Sequence, residues 1–248
     1  MNITIRTAVL LVAGIGSRLR PLTNGVPKAL VPLGRESILQ RLIRQLQECG
    51  IVRFVLATGY CEDAVRAAVT PLAAAVEYCR NSEYANTQNA VSLAYCAPAI
   101  RDEPIIKLDG DLVLDIEILR RVLSVSAPMV VAVDSYRELD QEAMKAEIDE
   151  NGLIRRFGKS ISIAAASAES IGIEVLDGTS NNTVMRRIEN LMSQGITDKY
   201  YEDVYSELIE DSELAPIALD VAGLGWTEVD TFDDLERARQ LVATSIGD

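Results

Sequence analysis

Residues 8–33 read AVLLVAGIGSRLRPLTNGVPKALVPL. The apolar run from Ala8 to Val12 predicts a buried strand, which ends abruptly in a loop of small residues. Pro21 and Pro27 prevent this loop from continuing directly as a helix. Because backbone N–H groups of small residues allow phosphate oxygens to approach closely, the loop predicts a site for a highly anionic ligand, with a nucleoside triphosphate as the favoured class.

Arg18 and Lys28 add side-chain charge to this loop that neutral amides cannot supply.

Two better-known phosphate-binding motifs do not match this loop. The P-loop pattern G-x-x-x-x-G-K-[ST] is absent from the sequence, and the dinucleotide pattern G-x-G-x-x-G has Leu19 in place of its third glycine.

The loop resembles the signature G-x-G-[ST]-R-[LM]-x-P-L-T-x-x-x-P-K-x-L of the sugar-phosphate nucleotidyltransferase superfamily. The matching residues are Gly14, Gly16, Ser17, Arg18, Leu19, Pro21, Leu22, Thr23, Pro27, Lys28 and Leu30. The resemblance implies that Lys28 is catalytic and that Arg18 holds the triphosphate and the leaving pyrophosphate. It also implies nucleotide contacts from Ala13, Gly14, Gly16 and Ser17. For Lys28 and Arg18 the alternative is a solvated surface cation.

Composition restricts the function classes. The 248 residues are 48% hydrophobic, which is enough for one large α/β domain. The net charge of −13 argues against nucleic-acid or anionic-membrane partners. The apolar runs are too short for a membrane span or a signal peptide, so we expect a cytoplasmic protein. We expect it to be a monomer or a homodimer.

The chain contains no histidine, which excludes Ser-His-Asp and Cys-His mechanisms. Its four cysteines show no C-x-x-C spacing, so structural zinc is not expected. The chemistry must therefore depend on carboxylates, lysine, arginine or a metal.

The first half alternates apolar runs and amphipathic segments. Strands are predicted at residues 8–12, 54–57, 76–79, 105–108 and 129–133, with helices at 38–46, 64–69, 89–97 and 116–123. This βαβ succession predicts an α/β fold, with a Rossmann-like, mostly parallel sheet flanked by helices. In such sheets ligands bind beyond the carboxyl ends of the strands.

The pattern changes after about residue 134. A hairpin is predicted from 143–149 and 153–157, followed by a strand at 171–176 and helices at 183–192 and 202–210. A capping box at 231–234 opens the last helix. We expect one domain over residues 1–248. In it, 1–134 form the nucleotide-binding half, and 135–248 form the acceptor-binding half, with a small β-hairpin and helical insertion and the C-terminal helix.

Asp109-Gly110-Asp111 follows the predicted strand at 105–108 and offers hard carboxylate oxygens to Mg²⁺. The family resemblance implies that Asp111 and Asp230, from the segment Glu228-Val229-Asp230, bind this metal. The alternatives are a turn-forming residue for Asp111 and an ordinary residue before a helix N-cap for Asp230.

Residues 81–93 read NSEYANTQNAVSL. They resemble the N-x-x-Y-x-x-[TY]-N-N-x-x-S-L stretch of cytidylyltransferases that act on phosphocholine, aminoethylphosphonate or inositol phosphate. The resemblance implies nucleotide contacts from Gln88, Asn89, Ser92 and Gly110, with Gln88 replacing the usual asparagine. The alternative is a polar helix N-terminus.

Later residues suggest the acceptor site. The resemblance implies that Lys145 and Lys159 meet the acceptor phosphate, although either could be a surface lysine. Tyr201, Glu202 and Asp203 combine an aromatic ring with carboxylates, which suits an amine or a quaternary ammonium group. The alternative is a helix start with favourable acidic residues. Trp226 could line the same pocket or fill the core, and the core is the favoured position.

Together these features predict a Mg²⁺-dependent cytidylyltransferase. It would transfer CMP from CTP to a phosphocholine-like or 2-aminoethylphosphonate-like acceptor and release pyrophosphate. Inositol phosphate or a sugar 1-phosphate, with CTP, UTP or dTTP, is the first alternative. The second is a regulatory relative that binds nucleotide without turnover. Glycosyltransferases also use a D-x-D turn but lack the glycine loop.

Overall fold

The computed structural model describes residues 4–136 and 139–245. A nine-stranded sheet forms its centre, and two further strands form a separate antiparallel pair. The strands are β1 (Thr7–Leu11), β2 (Arg53–Thr58), β3 (Val76–Arg80), β4 (Ile105–Asp109), β5 (Leu112–Leu114), β6 (Met129–Asp134), β7 (Lys145–Ile148), β8 (Ile154–Gly158), β9 (Ala168–Leu176), β10 (Ile217–Asp220) and β11 (Trp226–Glu228).

The helices pack on both faces of the sheet. They are α1 (Ile38–Glu48), α2 (Glu62–Val69), α3 (Asn89–Ala94), α4 (Ala97–Ile100), α5 (Ile116–Ser124), α6 (Gly178–Ser193), α7 (Tyr201–Glu210) and α8 (Phe232–Ser245). Short 3-10 turns at Ser17–Leu19 and Lys28–Leu30 lie in the glycine loop.

The main path of the sheet runs β10-β6-β9-β4-β1-β2-β3, with β7 paired to β8 and β9. Strands β4, β1, β2 and β3 are parallel, as is the β10–β6 pair, while β9 runs antiparallel to both β4 and β6. The predicted mostly parallel, helix-flanked sheet is confirmed. The second half of the chain contributes β9 to the middle of this sheet.

Most predicted elements form where local chemistry favours them. Ser37 begins α1 through a capping box with Gln40, and β7 and β8 form the predicted hairpin. The single helix predicted at 89–97 is instead two helices, α3 and α4. Pro98 explains this break, because a proline within a helix lacks the N–H donor and clashes with the preceding turn.

Two apolar clusters sandwich the sheet. On β1, Ala8 and Leu10 face a cluster that includes α1, α5 and α8, whereas Val9 faces a cluster that includes α3, α6 and α7. This alternation is the period-2 pattern of a strand buried on both faces. Because both faces of β1 are covered by apolar residues, the polar loops lie at the edge of the sheet where β1 and β4 end.

Short strands β5 and β11 were missed by the sequence analysis. They pair antiparallel, and the backbone N–H of Val229 donates to the carbonyl of Asp111 at 3.0 Å. This pairing brings the segment before α8 against the Asp109–Asp111 turn.

Within the described ranges, no helix combines the length and apolar character that crossing a bilayer requires.

The turn after β4 depends on the absence of a side chain at Gly110. A Cβ there would lie 2.4 Å from Val12 Cγ1 and 2.6 Å from the Leu11 carbonyl oxygen. We therefore expect Gly110→Ala to lower the free energy of unfolding by about 1–3 kcal/mol, measured by urea denaturation.

Gly14→Ala is the matched control, since a Cβ at Gly14 would have no neighbour within 4 Å. We expect this variant to unfold close to the wild-type midpoint. Equal stability of the two variants would contradict the close-packed account of the turn.

Candidate active site

A cavity of about 370 Å³ opens where β1 and β4 end. It is lined by every residue predicted to bind the nucleotide or the metal or to act in catalysis. These residues are Ala13, Gly14, Gly16, Ser17, Arg18, Lys28, Gln88, Asn89, Ser92, Gly110, Asp111 and Asp230. They come from four separate segments of the chain, so the fold assembles them in one place.

The glycine loop positions Lys28 by direct packing. Gly16 adopts a φ of 65°, and a Cβ there would lie 2.7 Å from Lys28 Cβ. The Thr23 hydroxyl donates to the Gly16 carbonyl at 2.8 Å, which holds the loop in this shape. The aliphatic stem of Lys28 therefore passes directly over Gly16, and its ammonium is aimed at the end of β4.

The ammonium of Lys28 lies among carboxylates from two distant segments. It contacts Asp111 Oδ2, lies 2.6 Å from Asp230 Oδ1 and is 4.0 Å from Glu228 Oε1. Arg18 binds the other oxygen of Asp230 at 2.7 Å. Oxygens of Asp111, Glu228 and Asp230 all lie within 4.8 Å of one another, a spacing that allows the three to share one cation.

These charges shift one another's ionisation. Burial would lower the pKa of Lys28, but attraction from Asp111, Asp230 and Glu228 outweighs it and raises that pKa. Repulsion from Asp111, together with burial, raises the pKa of Glu228 to about 9. Burial also raises the pKa of Asp111, despite the attraction of Lys28. The carboxyl groups therefore oppose one another's ionisation, and Lys28 stabilises their charged forms only in part.

The 81–93 segment is held in shape by Asn81, which is completely buried. Its side-chain amide donates to Thr87 at 2.9 Å and to Ser92 at 3.0 Å. Asn89 accepts a hydrogen bond from the backbone N–H of Tyr201 at 3.0 Å. This contact joins the nucleotide-side segment to the start of α7.

A second cavity, of about 570 Å³, adjoins the first. The two cavities share Arg18, Lys28, Asn89, Asp109, Glu228 and Asp230. The lining of the second is rich in acids, with Asp140, Glu142, Glu169, Glu202, Asp233 and Asp234 beside the shared carboxylates. Of the predicted acceptor residues, Lys159 and Glu202 line this cavity.

The structure turns Lys145, Tyr201 and Asp203 away from both cavities. The Lys145 ammonium is buried and donates to the carbonyls of Gln141 at 3.2 Å, Ala143 at 3.1 Å and Lys159 at 3.0 Å. Since a buried ammonium needs such acceptors, Lys145 fixes the loop before β7. Tyr201 is wholly buried, and Asp203 accepts from the Tyr200 N–H at 2.9 Å to cap α7.

Trp226 differs from its predicted core position. It is partly exposed, lines the second cavity, and donates from Nε1 to Asp134 at 2.7 Å. An indole N–H that leaves water needs a hydrogen-bond acceptor, and the bond to Asp134 holds the Trp226 ring at the cavity wall.

A buried ionic cluster beneath the second cavity was not predicted. Lys107 Nζ lies 2.7 Å from Glu174, 3.5 Å from Asp109 and 3.3 Å from the centroid of the Tyr201 ring. Tyr201 in turn donates its hydroxyl to Asp109 at 2.7 Å. The sequence signal was Lys107 within the apolar strand β4 and Glu174 near the apolar end of β9.

Burial raises the pKa of both glutamates associated with this cluster. The pKa of Glu174 rises to about 7 and that of Glu202 to about 8, because Lys107 only partly offsets burial and the repulsion of Asp109. Both carboxyls therefore hold their protons, in the folded protein, well above the ordinary glutamate value of 4.5.

These raised pKa values predict how stability depends on pH. Between about pH 4.5 and 8 the unfolded chain binds fewer protons than the folded one, so stability falls as pH rises. Urea unfolding in EDTA should show a loss on the order of 1 kcal/mol across this window. Glu202→Gln should reduce the slope of this profile, in which Glu174 and Glu228 still titrate, and the exposed Glu210→Gln should leave the slope unchanged. Stability that rises with pH would contradict this account.

Comparison with known proteins places this site in a family. Residues 8–175 match the family model of the MobA-like NTP transferase domain. The chain is 28% identical over 98% of its length to the bifunctional IPC transferase and DIPP synthase of Aquifex aeolicus. It is 26% identical over 93% of its length to the CMP-5'-(3-aminopropyl)phosphonate synthase of Streptomyces rubellomurinus.

The chain spans 53% and 38% of the length of these two relatives. Among solved structures, the inositol-1-phosphate CTP transferase from T. maritima superposes with a TM-score of 0.80 at 22% identity, covering 97% of this chain and 98% of the other. Its fold is therefore the same. The match over most of β1 to β9, together with the assembled loop, confirms the predicted resemblance to sugar-phosphate nucleotidyltransferases, and the chain belongs to the MobA-like NTP transferase domain family.

Proposed function

We propose that this protein transfers CMP from CTP to a small phosphate or phosphonate in a Mg²⁺-dependent reaction that releases pyrophosphate. The observation that carries the proposal is the position of Lys28. Its ammonium lies among Asp111, Glu228 and Asp230, and Lys28 lines both cavities. A nucleotide in the first cavity and an acceptor in the second would meet at this residue.

The chemistry needs alignment and charge rather than a general base. An oxygen of the acceptor phosphate forms a bond to the α-phosphorus of CTP. The bond from that phosphorus to the oxygen bridging the β-phosphate breaks, and its electron pair leaves with pyrophosphate. Since the attacking oxygen is already anionic, no proton has to be removed. The ammonium of Lys28 offsets the charge that builds up at the α-phosphate.

Arg18 is suited to hold the triphosphate. Its side chain is 64% exposed and borders both cavities, while one guanidinium nitrogen binds Asp230. A guanidinium offers several donors to phosphate oxygens at once. We propose that Arg18 binds the β- and γ-phosphates and then the departing pyrophosphate.

The carboxylates at Lys28 fit a Mg²⁺ ion. Their oxygens are hard ligands in mutual reach, and Asp111 Oδ1 is buried without a hydrogen-bond partner. Asp111 and Asp230 are the residues implied by the resemblance, and the geometry adds Glu228. A bound Mg²⁺ would neutralise phosphate charge beside Lys28.

The choice of CTP and of the acceptor is supported by two observations. The name of the Streptomyces relative refers to CMP, and that of the T. maritima solved structure refers to CTP. The acid-rich second cavity favours an acceptor that carries a positive charge, because carboxylates attract ammonium groups. Inositol phosphate stays the alternative acceptor, since the same solved structure is an inositol-1-phosphate enzyme.

The two halves of the chain would contact different substrates. We propose that residues 1–134 supply most nucleotide contacts and residues 135–248 most acceptor contacts. Glu228 and Asp230 are exceptions, because they belong to the second half and line the first cavity.

Pyrophosphate release tests the proposal. Each nucleoside triphosphate is combined with 2-aminoethylphosphonate, phosphocholine, inositol 1-phosphate or glucose 1-phosphate, in Mg²⁺ and in EDTA. We expect release with CTP and an amine-bearing acceptor, abolished by EDTA. Release only with another triphosphate, or undiminished in EDTA, would contradict the proposal.

Lys28→Met tests the catalytic role directly. Methionine keeps the stem that packs on Gly16 but removes the charge, so kcat should fall by roughly 10²–10³-fold. Lys199→Met is the control, because Lys199 pairs with Glu207 outside both cavities and its loss should leave kcat within about twofold. Thermal unfolding in Mg²⁺ checks that both variants fold; near-normal turnover of Lys28→Met would place catalysis elsewhere.

A further inference from the structure

The two ends of the glycine loop are bound to one residue, Tyr60, which follows β2 and lines neither cavity. The backbone N–H of Tyr60 donates to the carbonyl of Ala13 at 3.2 Å, where the loop begins. The Tyr60 hydroxyl accepts from the backbone N–H of Gly25 at 3.0 Å, near the end of the loop. Tyr60 therefore connects the two ends of the segment that carries Ser17 and Arg18.

The end of the loop at Gly25 is in a position that needs an anchor. Gly25 is exposed and has a φ of 74°, and a Cβ there would have no neighbour within 4 Å. The Thr23 hydroxyl already binds the Gly16 carbonyl, so Thr23 and Tyr60 restrain two successive parts of the loop. A loop that is ordered before its ligand arrives loses less conformational entropy on binding. The Tyr60 hydroxyl thus favours binding of a triphosphate.

The Tyr60 ring also supports a wall of the first cavity. Its centroid lies 6.3 Å from that of Tyr84, with the two rings tilted by 54°. This is a favourable arrangement for an aromatic pair, and Tyr84 lines the cavity. Gly59 permits the approach, because a Cβ there would lie 2.7 Å from Tyr84 Cβ and 3.0 Å from the Ala13 carbonyl oxygen. Tyr60 therefore restrains both the glycine loop and the 81–93 segment.

The catalytic ammonium has supports of its own. The stem of Lys28 packs on Gly16, and its Nζ contacts Asp111 and Asp230. Loss of the Tyr60 hydroxyl would loosen the end of the loop at Gly25 and leave these contacts in place. A change at Tyr60 should therefore alter the affinity for the nucleotide more than the rate of the chemical step.

We infer that Tyr60 is a positioning residue for the nucleotide, which orders the glycine loop and the Tyr84 ring before the triphosphate binds. This inference rests on the proposed function, because it takes CTP as the nucleotide. Tyr60 acts through Gly25, Ala13 and Tyr84 and has no part in the transfer chemistry.

Tyr60→Phe tests the inference, since it removes the hydroxyl and keeps the ring. Binding of CTP in Mg²⁺ is measured by calorimetry without an acceptor, and turnover with the best acceptor of the panel above. We expect Kd and KM for CTP to rise about fivefold, kcat to stay within about twofold, and KM for the acceptor to stay unchanged. Tyr60→Leu, which also removes the ring, should raise Kd for CTP about threefold further.

Hydrogen exchange reports the order of the loop separately from activity. Without nucleotide, a peptide covering residues 19–27 should exchange faster in Tyr60→Phe than in the unaltered protein. Saturating CTP should remove this difference, because the bound triphosphate would order the loop in both proteins.

Tyr78→Phe is the matched control. The Tyr78 hydroxyl is buried, has no hydrogen-bond partner among the described residues and lies outside both cavities. Its removal should leave both the affinity for CTP and the exchange of the loop unchanged. Thermal unfolding checks that each variant folds.

The outcomes separate the inference from the proposed function. If the unaltered protein binds CTP and Tyr60→Phe changes neither KM nor loop exchange, the inference is overturned and the proposed function stands. A fall in kcat with KM unchanged would also overturn it, because the hydroxyl would then act in the chemical step. If another triphosphate binds and CTP does not, the proposed choice of nucleotide is wrong, and the same comparison with that triphosphate decides the role of Tyr60. Binding of no triphosphate would overturn both.

Discussion

The ammonium of Lys28 is the cation on which the arrangement of the site depends. Asp111, Glu228 and Asp230 are brought close together by the short β5–β11 pair, and like charges at this spacing repel. Lys28 offsets that repulsion because its stem is fixed over Gly16 and its charge is largely shielded from water. The glycine loop, the turn after β4 and the segment before α8 are thereby tied to one point. Substrate phosphates and a divalent cation would act on the same balance of charge.

A second buried cation, Lys107, organises the ionic cluster beneath the second cavity. It lies against Glu174, Asp109 and the Tyr201 ring, so the start of α7 is joined to the middle of the sheet. Asp109 belongs to this cluster and Asp111 to the first, with Gly110 between them. Adjacent cavities therefore meet at a turn whose two carboxylates have different partners. Burial raises the pKa of Glu174 and of Glu202, and repulsion from Asp111 raises that of Glu228, so each of these carboxyls is costly to ionise where it stands.

In the proposed function, the groups that transfer the nucleotide and the groups that bind the acceptor lie in different parts of the site. The groups at the carboxyl ends of β1 and β4 suit nucleotidyl transfer to any phosphate, and family membership agrees with that. The second cavity is built largely by the second half of the chain, including β9 and the start of α7. If the proposed function holds, changes in that part of the lining would alter the acceptor while Lys28 stays in place. The different acceptors in the names of the relatives are consistent with this division.

The sequence alone determined most strands and helices of the first half, the glycine loop, and many of the residues that line the first cavity. These follow from local rules, because strand alternation, capping and loop chemistry act over a few residues. Tertiary structure decided what depends on distant pairing: the place of β9 between β4 and β6, the β5–β11 pair, and the addition of Glu228 to Asp111 and Asp230. It also decided that the Lys145 ammonium and the Tyr201 ring are buried, whereas Glu202 is among the residues that line the second cavity. A side chain's direction depends on which buried partners neutralise it, and those partners lie far away in the chain.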